Sequence, residues 1–161
     1  MKVKTSIIQT GNWFFNKLVS QATKITGHAE VGVFGGKPRI TDLKHGGKRS
    51  IDMADLAAIH EFGAPGKNIP ERSFLRASLQ LNQGKYSQYL LGQLKPMLLG
   101  KTSMAATWQF LGQEAQADVQ SYMINGKFVP LKPKTIKRKG SSKPLIDTGQ
   151  LRQSVTYRVV K

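Results

Sequence analysis

The amino-acid sequence predicts an α+β fold in which a small antiparallel sheet packs against a few amphipathic helices, with long basic loops between elements. Two short stretches, one in the first quarter of the chain and one at its end, alternate apolar and polar residues as strands do. Between them, longer stretches repeat apolar residues every three or four positions, which is typical of helices. The 161 residues suffice for a core, and we expect one domain over 1–161.

The N-terminal third contains a predicted helix, a strand and a basic connection. The helix covers Ser6–Ile25, where apolar residues recur at helical spacing. The strand His28–Gly36 ends at a pair of glycines. The stretch Lys37–Arg49 is basic and poor in apolar residues, and we interpret it as a loop or a hairpin.

A second helix is predicted from about Asp52 to Phe62. Asp52 is suited to accept a hydrogen bond from the N3 amide as the N-cap, and Ile51 and Leu56 match a hydrophobic staple. Gly63 follows as the residue that ends the helix.

Two longer helices follow. One begins near Glu71–Phe74 and continues to about Leu99, with a break expected at Gly84. The other covers Met104–Ile124 and ends at Asn125-Gly126 in a left-handed stop. Its predicted buried stripe consists of Met104, Trp108, Leu111, Ala115, Val119 and Tyr122.

The C-terminal segment begins with a predicted structural cap. Asp147 and Gln150 have the spacing of a capping box, and Ile146 and Leu151 that of a staple. One or two helical turns should follow, and then a strand that alternates Val155, Tyr157 and Val159 and pairs with the first strand.

The charge is strongly positive, with 25 Lys and Arg against 9 Asp and Glu and a formal net charge of +16. Such a molecule favours anionic partners. Lys127–Lys143 carries seven basic residues and no acid, and we predict an extended basic loop at about 127–144. This loop is either simply solvated or contacts DNA or an acidic protein surface through Lys132, Lys134, Lys137, Arg138 and Lys139.

Catalytic, metal and cofactor motifs are missing from the sequence. His60-Glu61 would need a second histidine at position 64 to bind zinc, and Ala64 stands there. Gly100-Lys101-Thr102 lacks the earlier glycine of a phosphate-binding loop, and there is no cysteine. We therefore expect no enzyme activity, no cofactor and no metal. Apolar runs are too short for a membrane helix and no secretory signal is evident, so we expect no membrane partner.

A stiff corner is predicted between the second and third helices, because Pro65 and Pro70 bracket the turn. Arg72 and Arg76, four residues apart, would share one helical face. This corner is either a plain helix–loop–helix connection with exposed arginines and a partly buried structural His60, or a surface offered to a neighbouring subunit. On the second interpretation the assembly interface contains His60, Glu61, Phe62, Pro65, Arg72 and Arg76.

Three motifs in this order resemble the tail-completion or neck proteins of long-tailed bacteriophages, including the virion-morphogenesis proteins of Mu-like phages and the minor tail protein Z type of lambda-like phages. They are "HEFGAPGKNIPERSFLR" from His60, "LKPKTIKRK" from Leu131 and "PLIDTGQLRQS" from Pro144. One departure is Ser73, where the family usually has a second proline.

The resemblance implies a structural virion protein at the head–tail junction, assembled in the host cytoplasm. It implies a homo-oligomeric ring, expected to be six-fold, that finishes the tail and allows the head to join. Its neighbours would be the tail tube or tail terminator and the head-closure or connector proteins, with genomic DNA in the lumen as a further candidate partner. The alternative from another class is a sequence-independent nucleic-acid-binding module, which the charge supports. Against it, the basic block contains one aromatic residue, Phe128, for base stacking.

Overall fold

The computed structural model of the protein describes residue 20 and residues 26–36, 38–42 and 48–160. The predicted helix Ser6–Ile25 lies, apart from Ser20, outside the described residues. The strands are β1 (His28–Val33), β2 (Pro38–Asp42), β3 (Lys48–Asp52) and β4 (Val155–Val160). The helices are α1 (Met53–Phe62), α2 (Leu75–Leu98), α3 (Met104–Asn125), α4 (Pro133–Lys139) and α5 (Gln150–Ser154), with a short 3-10 turn at Pro65–Lys67.

The strands form two antiparallel pairs. β1 pairs with β4, so that His28 lies opposite Val160 and Val33 opposite Val155. The predicted pairing of the first and last strands, and with it the α+β class, is confirmed. β2 pairs with β3, which confirms the hairpin interpretation of this region over the loop interpretation.

The core lies where α3 packs against the β1–β4 pair and against α2. Phe74, Val119 and Val155 are completely buried there. The other buried members of this cluster are Met53, Ala57, Met123, Leu145 and Leu151. Phe74 belongs to the corner between α1 and α2, and its burial ties that corner to the centre of the molecule.

α1 begins and ends where its sequence predicts. The Asp52 carboxylate caps it by accepting a hydrogen bond of 2.7 Å from the amide of Ala54, which is the N2 position and not the predicted N3. Gly63 ends the helix with a positive φ of 76°.

The break predicted at Gly84 is wrong, because α2 is continuous through that residue. A single glycine costs a helix only about 1 kcal/mol. The neighbouring Lys85 binds Glu114 and Asp118 of α3 at 3.0 and 2.7 Å, and these contacts hold α2 against α3 beside the glycine.

α3 buries Leu111, Ala115 and Val119 as predicted. The other three residues of the predicted stripe, Met104, Trp108 and Tyr122, are only partly buried. The left-handed stop at Gly126 is wrong, because its φ is −65°. Glycine is required there for space: a Cβ would lie 2.6 Å from the Tyr122 carbonyl oxygen and 3.0 Å from the Phe128 ring.

The capping box of Asp147 and Gln150 is wrong. α5 begins at Gln150 itself and its N-cap is Gly149 with a φ of 79°, so Asp147 and Gln150 do not occupy the N-cap and N3 positions that a capping box requires. Asp147 lies two residues before the cap, because the chain still turns through Thr148 and Gly149. Leu151 is buried, so α5 is held by its apolar contact with the core.

The extended basic loop predicted at about 127–144 contains a helix, α4. Pro133 occupies the first helical position, where its fixed φ favours a helix start, and Gly140 follows the last turn with a φ of 72°. A proline at the start and a glycine after the end are typical of a helix, but the high charge of the segment led to the prediction of a loop.

Among the described residues, no helix is long and apolar enough to cross a membrane.

Candidate functional site

Glu61, in the last turn of α1, places its carboxylate against the start of α2 and is only 3% exposed. The carboxylate accepts five hydrogen bonds of 2.7–3.1 Å, from the amides of Phe74, Leu75 and Arg76, the Ser73 hydroxyl and the Arg76 guanidinium. The first amides of a helix have no partner within it, and the positive end of the helix dipole favours a carboxylate. Glu61 is therefore the cap of α2, supplied by a different helix.

The turn between α1 and α2 is closed by backbone hydrogen bonds. Ala64 and Ile69 bond to each other in both directions at 2.8 and 3.1 Å. The Arg72 amide donates to the His60 carbonyl at 2.8 Å, which joins the end of α1 to the approach of α2. These bonds, together with the two prolines, support the predicted stiffness of the corner.

The two arginines do not share a helical face, so that prediction is wrong. Arg72 precedes α2, is 5% exposed, and donates from Nε to the Val129 carbonyl at 3.0 Å. Only Arg76 is on α2, where it binds Glu71 at 2.7 Å. Arg72 thus attaches the corner to the segment that leads into α4, and Arg76 remains at the surface.

The outward face of the corner consists of Phe62, Pro65, Glu71 and Arg76. Phe62 is 63% exposed, and the Arg76 guanidinium lies 5.0 Å from the centre of its ring. Of the six residues predicted for an assembly interface, Phe62, Pro65 and Arg76 are exposed, whereas Glu61 and Arg72 are buried and His60 is partly buried. The partial burial of His60 agrees with its interpretation as a structural residue.

The three sequence motifs meet at a cleft of about 160 Å³ between α1 and the segment from Leu131 to Leu151. Its polar lining includes His60, Thr135, Arg138, Lys139, Asp147 and Thr148. At its edge the Lys139 ammonium donates to the carbonyls of Lys143 and Pro144 at 2.6 and 3.1 Å. Lys139 therefore holds α4 to the following turn, which differs from its predicted role as a contact to DNA or an acidic partner.

The other predicted contact residues lie on the surface. Lys132, Lys134, Lys137 and Arg138 are exposed. In the part of the chain that the structure describes, none of the four forms an ion pair with a carboxylate. No three metal-binding side chains come together among the described residues either.

Sequence reasoning missed the role of Ser73. Its hydroxyl donates to Glu61 at 2.7 Å, a bond that a proline at this position could not make. One signal was available: Phe74, at the N-cap of α2, has no polar side chain to accept from the first amides of the helix, which favours an acceptor from another part of the chain.

The stability of the protein should depend on pH through Glu61. Burial alone raises the pKa of Glu61, but the hydrogen bonds from Leu75, Ser73 and Arg76 outweigh it and hold that pKa below its ordinary value of 4.5. The ionised carboxylate therefore stabilises the fold fully above pH 4.5, and this stabilisation is lost as the pH falls through the lower folded pKa. Urea denaturation of the wild type and of Glu61→Gln at several pH values measures it, and the two curves should converge in acid. A constant difference between them would contradict the prediction.

The chain matches no family model, no curated protein and no solved structure. The likeness to phage neck proteins therefore rests on the motif residues alone.

Proposed function

We propose that the protein is a structural component of a bacteriophage virion at the head–tail junction, where its copies form a ring that finishes the tail and allows the head to join. The observation that carries the proposal is that charged residues of the first motif have structural roles inside the molecule. Glu61 and Arg72, the two buried charged residues of the first motif, make their hydrogen bonds inside the molecule, where they build a rigid corner. Residues used in this way support a role in assembly over a role in catalysis.

The outward face of the corner is suited to contact a neighbouring protein. Aromatic and arginine side chains are enriched among the residues that dominate binding energy at protein interfaces. Phe62 and Arg76 supply one of each in stacked contact, and Glu71 and Glu61 hold the arginine in place. Because both side chains are already ordered, little conformational entropy would be lost on binding.

The proposed partner of this face is the adjacent copy in the ring. A stiff corner presented at one angle by every copy would set the geometry between neighbours, as a closed ring of identical subunits requires. The tail tube or tail terminator and the head-closure proteins are the proposed partners of the other faces.

Deletion of the gene should leave DNA-filled heads and separate tails, which electron microscopy of lysates would reveal. A plasmid that encodes Phe62→Ser should fail to restore joining, because the variant removes the exposed ring without touching the core. Leu81→Ser is the matched control, since Leu81 is 73% exposed on α2 and lines a surface with Asp118 and Tyr122 of α3, and it should restore infectivity. Joined, infectious particles from the deletion strain would disprove the proposal.

A further inference from the structure

We infer that the exposed face of α4 binds the phosphate backbone of double-stranded nucleic acid without regard to sequence, through Lys132, Lys134, Lys137 and Arg138. The inference deepens the proposed function by naming a partner for one surface of the protein. It rests on that function only for the source of the nucleic acid, which would be the phage genome.

The basic face is carried by an ordered element. Lys139 attaches the end of α4 to the turn that follows it. Lys143 reaches the Ile124 carbonyl at the end of α3 with a hydrogen bond of 3.4 Å. Before the start of α4, the Val129 carbonyl accepts a hydrogen bond from Arg72 Nε. The cations are therefore presented by a helix with attachments on both sides, so little backbone ordering would be needed on binding.

The spacing of the cations brings three of them together. Lys134, Lys137 and Arg138 stand at positions i, i+3 and i+4 of α4, which are neighbours on one helical face about 5–6 Å apart. Lys132 precedes them at the N-cap. Such a row of like charges repels itself unless anions lie beside it.

Five of the nine acidic residues form ion pairs with cations outside this face. Glu30 binds Arg158 at 2.6 Å, and Lys85 binds both Glu114 and Asp118. Glu61 and Glu71 both bind Arg76. Within the described structure, the four cations have no carboxylate partner, so their counterions are free to be released when phosphates bind.

The composition of the face favours nucleic acid over an acidic protein. Lysine is depleted at protein interfaces, where aromatic residues are enriched, and this face has three lysines and one arginine. The nearest aromatic residue in the chain, Phe128, packs edge-on against Tyr122 with ring centres 5.5 Å apart. Without aromatic rings for base stacking, the face is suited to a duplex backbone and not to single strands.

Fluorescence anisotropy with purified protein would test the inference. The probes are short labelled duplexes of two unrelated sequences, a single strand of one of them, and labelled polyglutamate as an acidic polypeptide. The two duplexes should bind alike and more tightly than the other probes. Replacing all four cations by Gln should reduce the slope of log affinity against log salt by about 3–4, since each phosphate contact contributes ~0.9.

The matched control replaces Lys48, Lys67, Lys95 and Lys101 by Gln, which removes the same formal charge from β3, the turn after α1, α2 and the segment that follows α2. It should leave most of the salt slope in place. An equal loss in both variants would show a diffuse effect of net charge, and equal or tighter binding of polyglutamate would point to an acidic protein; either result would overturn the inference. Circular dichroism would verify that both variants fold. Since no virion is involved, failure of this experiment and failure of the assembly experiment are independent.

Discussion

Glu61→Gln should lower the free energy of unfolding by about 3 kcal/mol, because a buried donor that loses its acceptor costs ~1–3 kcal/mol. The Glu61 carboxylate accepts hydrogen bonds from the amides of Phe74 and Leu75, and Phe74 is completely buried. Glutamine has nearly the same size, but only one of its two terminal atoms accepts hydrogen bonds, and its NH₂ group would face amides that also donate. Urea denaturation at neutral pH measures the loss.

Glu71→Gln is the control for this prediction. Glu71 also binds Arg76, but both side chains are more than half exposed, and exposed ion pairs contribute only about 0–1 kcal/mol. The control should therefore unfold close to the wild type. If the two variants were equally stable, Glu61 would not be the cap on which α2 depends.

Gly63→Ala should destabilise the protein by a similar amount, about 3 kcal/mol. Gly63 has a φ of 76°, and such a conformation costs other residues about 1–3 kcal/mol. In addition, an added Cβ would lie 2.8 Å from the Glu71 backbone nitrogen and 3.0 Å from the Ile69 carbonyl oxygen. Backbone atoms cannot move aside without opening the turn between α1 and α2, so crowding adds to the strain.

Two other glycines separate these causes. Gly140 has a φ of 72°, but no described atom lies within 4 Å of its added Cβ, so Gly140→Ala should show the strain alone. Gly66 has neither a positive φ nor such a contact in the described structure, and Gly66→Ala should be neutral or slightly stabilising. Thermal melts of the three variants should rank Gly63 as the most sensitive. A loss at Gly140 equal to that at Gly63 would exclude crowding as a cause.

The elements that could be predicted are those with short-range signals. The Asp52 cap bonds to an amide two residues away, and Gly63 ends α1 by its own backbone conformation. The strands β1 and β4 follow from the alternation of their residues, and Leu111, Ala115 and Val119 follow from helical spacing. In each case the information lies within about four residues of the position concerned.

The candidate site was predicted in its location but not in its contacts. The sequence singled out the corner around His60–Arg76 and the basic residues after Lys127. It did not show that Arg72 would be buried, because its partner, Val129, is 57 residues away. The sequence also did not predict α4. Seven like charges favour a solvated loop, and this signal outweighed the proline and glycine that are typical of the two ends of a helix.

By itself, the sequence determined the α+β class, the helices α1 and α3, the pairing of its outer strands and the excess of positive charge. Only the tertiary structure decided that Glu61 caps α2, that α2 continues through Gly84 where Lys85 binds α3, and that Gly149 and not Asp147 is the N-cap of α5. The physical reason is the range of the interactions. Caps, turns and periodic faces depend on residues adjacent along the chain, whereas the partner of a buried charge is chosen by packing, which brings together groups that no local pattern connects.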